Sequence, residues 1–416
     1  MSGALDRQIA DAQAALPARL ARAEAALAAL SGALTRLDVV AVCAALEPVL
    51  EDHYACDTAL QLSRAFGRPV AQDLQARAAE LRADARYAEH FAVQQVADPA
   101  ALPDRLRPWA AAMRAPRPAP LPEPDPPPTG DPVAYAAALN AALHPLSPES
   151  AARLRAGSLH LPEDVVAALV EMADRPPAPP DDVTGCFGGP AEVLQIVRDH
   201  LAQGPHVGPF VQALLAQDRI HVADAMPDGY AFSVAPEYRG LPIVYVPFTG
   251  GLRDLVQVFH HVGHSFHRFH AQAGGSVLSA MGPDIDEALP LLFERRCHDV
   301  LSAVWPTRAA AAQARRAAEV ADALAHFAFA QRLVRAALTG DLTAEALIGW
   351  HRALLSDPLP DVLAEAPGFS PPPLSSYALG AVQARRFHAR HGWDAAAILA
   401  LAERADRVRC VELLGL

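Results

Sequence analysis

Aromatic side chains, cysteines and long apolar runs are all scarce in this sequence. Aromatic residues make up 6% of the chain, and the dominance of alanine and leucine favours helices. The five cysteines are scattered and never form a C-x-x-C pair, so we expect reduced, buried thiols in a cytoplasmic protein. No apolar run reaches the roughly 18 residues that a membrane span needs, and no signal-peptide pattern opens the chain. The net charge of −12 argues against nucleic acid as a partner.

The chain divides by composition into three parts. Residues 1–114 carry apolar residues at three- and four-residue spacing, which predicts an N-terminal helical domain. Residues 115–130 are rich in proline and predict an extended linker. Residues 131–416 read as helical again, apart from a β region at about 219–248. We therefore predict a mainly α fold with a small β-sheet.

Histidines are concentrated in one amphipathic stretch that starts at Leu252. Five of the 17 histidines fall within its 19 residues. On a helix that turns roughly 100° per residue, His260, His264 and His267 lie within about 60° of one another, whereas His261 points about 100° away from His260. Two imidazoles one turn apart can hold one metal ion from a single helix. The stretch therefore predicts a metal site at His260 and His264.

The residue after the first histidine departs from the usual zinc-hydrolase motif. That motif is H-E-x-x-H, in which the glutamate is the general base that activates water. Here His261 occupies the position of the glutamate. A neutral imidazole can accept a proton, so His261 is a candidate base. The alternative is that His261 joins the metal and closes the open position.

A third metal ligand is expected downstream of the histidines. Glu287 and Glu294 are seven residues apart, which puts them on one face of a second predicted helix. Glu287 is our first candidate, with Asp284 and Asp286 as alternatives. Two histidines and one carboxylate would leave a coordination position open for water or substrate, which is typical of catalytic sites.

At these residues the chain is similar to the M3 metallopeptidases, in particular to the oligoendopeptidase F branch. The family pattern is an apolar strand, a glycine turn, an aspartate in the first helical turn, H-E-x-G-H-x-x-H, and two glutamates seven residues apart. The similarity extends over about residues 190–400. The matching segments are Leu241–Phe248, Thr249–Gly251, Asp254, His260–His267, Glu287 and Glu294, with weaker matches at Asp218–Asp224, Gly229–Ser233 and Ser376–Gly380.

The resemblance implies a two-lobed, helical fold that encloses a peptide channel and holds zinc through the two motif histidines and Glu287. It also implies that Glu294 lies behind the ligands and orients one of the histidines through its free nitrogen. His267 is expected to be a structural residue or, like Glu294, to support the metal ligands from behind without binding the ion. Tyr377 is the candidate that donates a hydrogen bond to the oxyanion.

Two parts of the hydrolytic apparatus depart from the family. One is His261 in place of the catalytic glutamate. The other is the stretch 366–375, where the family has a histidine and further tyrosines and this chain has neither. Retained ligands beside altered catalytic groups indicate a pseudoenzyme or a site that performs other chemistry.

Three hypotheses follow from these residues. The first is a Zn²⁺-dependent hydrolase that acts on peptides or peptide-like amides, with a weakened or altered base. The second is a catalytically inert pseudopeptidase that binds a peptide or another partner. The third is an Fe²⁺ redox enzyme, because two histidines and one carboxylate also suit non-haem iron. In each case we expect a peptide or peptide-like small molecule as partner, no membrane, and a chain that is compatible with a homo-oligomer.

Overall fold

The computed structural model describes residues 3–35, 49, 51–52, 55–56, 58–81, 130–146, 185–224, 230–235, 240–273, 287–365 and 373–403. The predicted linker, apart from Gly130, lies outside the described residues, as do Asp284 and Asp286. The helices are α1 (Gly3–Thr35), α2 (58–65), α3 (72–81), α4 (Pro132–Leu143), α5 (Pro190–Ile196, continued by a π-helical turn at Val197–Leu201), α6 (Val207–Ala216), α7 (Leu252–Ala273), α8 (Ala288–Val304), α9 (Pro306–Thr339), α10 (Ala344–Leu354), α11 (Leu359–Glu365), α12 (Pro373–His391) and α13 (Ala395–Ala402). The strands are β1 (Ile220–Asp224), β2 (Phe232–Val234) and β3 (Ile243–Phe248).

These elements confirm the predicted mainly α fold with a small sheet beside the histidine-rich helix. The described strands fall inside the β region at 219–248, and α7 begins at the predicted Leu252. Among the described helices, none combines the length and apolar character that a membrane crossing requires.

The sheet has the strand order β1-β3-β2, so the strand that leads into α7 is the central one. β1 pairs with β3 in parallel, from Ile220 opposite Val244 to Asp224 opposite Phe248. β2 pairs with β3 antiparallel, with Phe232 opposite Tyr245. A central strand is held along both sides by backbone hydrogen bonds, so it is a rigid support for the helix that follows it.

The two faces of β3 are buried against different parts of the chain. Successive side chains of a strand point to opposite faces. Val244 and Val246 face the core formed by α6, α7 and α8. Ile243 and Tyr245 face a second apolar cluster, to which α1 contributes Leu5 and Ile9, α2 contributes Leu62, and the turn after α2 contributes Phe66. Residues near the N-terminus therefore cover one face of the sheet, and the histidine-rich helix covers the other.

Candidate metal centre

The turn from β3 into α7 is fixed by one buried carboxylate. Asp254 lies in the first turn of α7 and is 1% exposed. Its Oδ2 accepts hydrogen bonds from the backbone N–H groups of Thr249 at 2.8 Å and Gly250 at 2.7 Å, and its Oδ1 accepts one from the Thr249 hydroxyl at 2.6 Å. Gly250 has a φ of +78°, a conformation that residues with a Cβ rarely adopt. The predicted glycine turn and first-turn aspartate thus lock the direction of α7 relative to the sheet.

α7 presents the two motif histidines side by side. The Nε2 atoms of His260 and His264 lie 3.1 Å apart. Both residues are half-buried, while Phe259, Val262 and Phe266 of the same helix are fully buried in the core. The amphipathic pattern therefore fixes the rotation of α7, because burial of the apolar face turns these two imidazoles together towards α8.

Glu287 immediately precedes α8 and brings its carboxylate to the same point. Its Oε2 lies 3.5 Å from His260 Nε2, and its Oε1 lies 3.6 Å from His264 Nε2. The sequence placed Glu287 within a helix, whereas the structure places it at the residue before the first helical one. A carboxylate is stabilised there by the positive end of the helix dipole.

Two glycines allow the three helices to meet at this carboxylate. A Cβ on Gly263 of α7 would lie 2.6 Å from Pro290 Cα of α8, and a Cβ on Gly380 of α12 would lie 2.5 Å from Glu287 Cβ. Carbon atoms do not approach so closely without displacement, because 3.4–4 Å is ordinary contact. The glycine of the H-H-x-G-H segment and the glycine of the Ser376–Gly380 segment are thus both required by the close packing around Glu287.

Glu294 lies one layer behind the histidines and is held by a cation. It is 5% exposed and accepts a hydrogen bond from His260 Nδ1 at 2.7 Å. Arg316 of α9 lies against both oxygens, with Nε 2.5 Å from Oε2 and Nη2 2.8 Å from Oε1. Burial alone would raise the pKa of Glu294, but Arg316 and the hydrogen bond from His260 lower it below its usual value. An ionised Glu294 therefore keeps the His260 proton on Nδ1 and leaves Nε2 facing Glu287.

His261 lies beside the two motif histidines. Its ring centroid is 5.1 Å from that of His260 and 5.8 Å from that of His264, and each of the three rings has a nitrogen within 4.8 Å of the others. Its Nδ1 is buried and has no hydrogen-bond partner among the described residues. Burial, followed by the charges of His260 and Arg268, lowers the pKa of His261 to about 3. The imidazole is therefore neutral, and it lies beside the two motif histidines on the face of α7 that carries them.

His267 and Tyr377 are placed near the centre in different ways. His267 is 1% exposed, and neither ring nitrogen has a hydrogen-bond partner among the described residues, so it makes no hydrogen bond to the candidate ligands. Tyr377 donates to Glu294 Oε1 over 3.4 Å, and the Arg316 guanidinium lies 4.4 Å from the centre of its ring. The Tyr377 hydroxyl is thus directed at the carboxylate behind His260, at a distance typical of a weak hydrogen bond.

The donor set fits a small tetrahedral ion. With zinc–nitrogen and zinc–oxygen bonds of about 2.0–2.2 Å, neighbouring ligand atoms of a tetrahedral site are separated by roughly 3.3–3.5 Å. Here the two Nε2 atoms lie 3.1 Å apart, His260 Nε2 lies 3.5 Å from Glu287 Oε2, and His264 Nε2 lies 3.6 Å from the other oxygen, Oε1. The two histidines of α7 and the carboxylate just before α8 therefore already lie at nearly the spacing of metal ligands, with each histidine next to a different oxygen of Glu287.

Sequence reasoning missed Arg316, which neutralises Glu294. Arg316 lies 22 residues beyond Glu294, in a helix where alanine and arginine alternate without a motif. The buried carboxylate itself was the available signal, because a buried charge is paired in almost every folded protein. The identity of its partner depends on how α8 packs against α9, which no local pattern specifies.

Comparison with known proteins shows the fold and leaves the family open. No family model matches the chain, and no curated protein matches it. A solved structure from Chlamydophila abortus, described as that of a candidate peptidase, is similar with a TM-score of 0.57 over 95% of this chain and 87% of that chain, at 12% identity. A candidate oligoendopeptidase F from Bacillus anthracis matches with a TM-score of 0.42 and 14% identity, over 96% of this chain and 75% of that chain. The chain therefore shares the fold of the C. abortus protein, across nearly its whole length.

Proposed function

We propose that this chain is a zinc-binding, metallopeptidase-like protein that acts on peptides or peptide-like amides, with hydrolysis weakened or altered by the exchange of the general base. The observation that carries the proposal is the cluster of His260, His264 and Glu287, in which the two Nε2 atoms lie 3.1 Å apart and each lies 3.5–3.6 Å from one oxygen of the carboxylate. The shared fold with the C. abortus protein supports it.

The residues of the chain have separable parts in this proposal. His260, His264 and Glu287 would hold the ion, which supplies Lewis acidity for a peptide carbonyl. Glu294 holds the His260 ring in the orientation that directs Nε2 at the ion. His261 would accept the proton of the attacking water in place of a glutamate. An imidazole reaches less far than a glutamate, and loss of a well-placed base costs roughly 10²- to 10⁴-fold in rate.

The first experiment is elemental analysis of tag-free protein, with His264→Ala as the test variant and His270→Ala as its control. His270 lies six residues further along α7 and contacts Phe266 and Phe210 rather than the carboxylates. We expect about one zinc per chain in the wild type and the control and none in His264→Ala. Iron with O₂-dependent turnover would favour the Fe²⁺ redox alternative, and no metal in any of the three proteins would contradict the proposal.

The second experiment restores the base. His261→Glu should raise peptidase activity by roughly 10²- to 10⁴-fold, because the glutamate would meet a site whose ligands are already placed. Zinc-loaded His261→Glu protein without peptidase activity would contradict the hydrolase proposal and favour the inert pseudopeptidase.

One structural observation favours the inert pseudopeptidase as a second candidate. Tyr377, the expected oxyanion donor, directs its hydroxyl at Glu294. A binding protein would require neither this donor nor a base. Peptide binding that is unchanged in His261→Glu, without turnover in either protein, is the result that this candidate predicts.

A further inference from the structure

A cavity of about 360 Å³ lies between α8, α9 and α12. Its apolar wall includes Leu291, Val320, Leu324 and Ala381. Glu294 also lines it, but none of the three candidate metal ligands does. The volume falls in the range that accommodates small ligands in proteins.

Two arginines on facing helices line this cavity. Arg295 of α8 and Arg385 of α12 are both exposed. Within the part of the chain that the structure describes, no carboxylate oxygen lies within 4.0 Å of either guanidinium group. The third arginine of the lining, Arg316, is occupied by Glu294 and Glu319.

His298 supplies a second, independent observation. It lines the same cavity, is 9% exposed, and neither of its ring nitrogens has a hydrogen-bond partner among the described residues. A buried polar group without a partner costs about 1–3 kcal/mol. A ligand that hydrogen-bonds to the ring would remove that cost.

We propose that this cavity binds a small organic anion through a phosphate or carboxylate group held by Arg295 and Arg385, with His298 as a further hydrogen-bonding group. Guanidinium groups bind both kinds of anion by paired, charge-assisted hydrogen bonds, and they stay charged at all physiological pH values. The apolar wall would contact the carbon part of such a ligand.

Glu294, Glu319 and Asp299 are acidic groups beside this site, and none of them makes an ion pair of 4.0 Å or less with Arg295 or Arg385. Glu294 is already paired with Arg316 and His260. Asp299 follows His298 on α8, is exposed, and makes no ion pair of 4.0 Å or less with a described residue. The site keeps its positive charge and does not depend on the presence of a metal.

The test follows the thermal unfolding midpoint of the full chain against inorganic phosphate and, separately, against succinate at constant ionic strength. The test variant is the double substitution Arg295→Gln with Arg385→Gln, whose two positions are exposed and should fold normally. The control is Arg386→Gln, which removes one positive charge from the position next to Arg385 on α12 and does not line the cavity. His264→Ala serves as a second control, because it removes a candidate metal ligand only.

We expect a saturable rise of the midpoint in the wild type and in both controls, and at least about a tenfold higher half-saturating concentration in the double variant. A rise of the midpoint with phosphate but not with succinate would identify a ligand with a phosphate group. A rise with succinate but not with phosphate would identify a ligand with a carboxylate group. Equal responses of the wild type and the double variant, or no saturable response to either anion, would overturn the proposal. Saturation retained by His264→Ala would uphold it even if the proposed zinc site fails.

Discussion

The close approach of α12 to Glu287 leads to a quantitative prediction for Gly380→Ala. The new Cβ would lie 2.5 Å from Glu287 Cβ and 2.8 Å from the Glu287 carbonyl carbon. Ordinary contact begins near 3.4 Å, so α12 and the start of α8 would have to separate by about 0.9 Å. Metal–ligand distances tolerate only about 0.2 Å. We therefore expect roughly a 10- to 100-fold loss of zinc affinity, the range found when groups that position metal ligands are altered.

The measurement is a zinc titration against a competing chromophoric chelator, together with urea unfolding of the metal-free protein. Overpacking of this kind costs about 1–3 kcal/mol in the free energy of unfolding, so the variant should fold. Gly349→Ala is the matched control, because Gly349 is exposed in α10 and a Cβ there would meet nothing within 4 Å. The control should bind zinc like the wild type and gain up to about 1 kcal/mol in helix stability.

A folded Gly380→Ala protein with wild-type zinc affinity would refute this reasoning. It would mean that Glu287 is not a ligand or that the position of α12 does not determine its geometry. Gly263→Ala distinguishes the two explanations, because its Cβ would meet Pro290 Cα at 2.6 Å and displace α8 from the other side. Unchanged affinity in both variants would leave Glu287 without support as a ligand.

Three further predictions follow from single buried contacts. Arg316→Gln leaves the buried Glu294 carboxylate without its cation and should lower the free energy of unfolding by about 3–5 kcal/mol in urea titrations; a loss below about 1 kcal/mol would contradict that pairing. Asp254→Asn replaces one acceptor oxygen by an NH₂ group, which must face either the two backbone N–H groups of Thr249 and Gly250 or the Thr249 hydroxyl, and should cost about 1–3 kcal/mol by the same assay. His221 is 4% exposed and lies within hydrogen-bonding distance of Gln8. Burial lowers its pKa to about 4, so as the pH falls this histidine takes up a proton in the unfolded chain before it does so in the folded protein. The stability it contributes is complete above pH 6.5 and is lost towards pH 4; at pH 5 the wild type should have lost about 2 kcal/mol more than His221→Gln, and parallel pH profiles would contradict this.

The sequence predicted the candidate site best where the functional residues and the secondary structure that positions them lie in one short segment. The strand, the glycine turn, Asp254 and the histidine pair follow one another within 24 residues, so periodicity and turn chemistry predict them together. Glu287 was found through its spacing from Glu294, and the structure brings its carboxylate to the two histidines. The zinc itself, the role of His261 and the domain boundaries at 114 and 130 stay predictions.

The remainder of the site depends on contacts between distant segments. Gly380 looked like part of a weak tyrosine motif, whereas its structural role is to make room for Glu287. Arg295 and Arg385 lie 90 residues apart, and only the packing of α8 against α12 places both at one cavity. Tyr377 stays a candidate oxyanion donor, and its position beside Glu294 and under the Arg316 guanidinium is set by how α12 packs against α8 and α9. Packing of helix against helix decides each of these cases, and composition does not encode it.

The sheet beneath the histidine-rich helix links the beginning of the chain to the candidate metal centre. Ile243 and Tyr245 of β3 are covered by Leu5 and Ile9 of α1. Val244 and Val246, on the other face of the same strand, pack in the core that includes α7. A protein cut after the proline-rich segment would leave Ile243 and Tyr245 in water and deprive α7 of a stable base. The N-terminal helix therefore supports the candidate metal centre through the sheet. Substitutions that disturb the packing of Leu5 or Ile9 should accordingly lower the affinity of the proposed site for its metal.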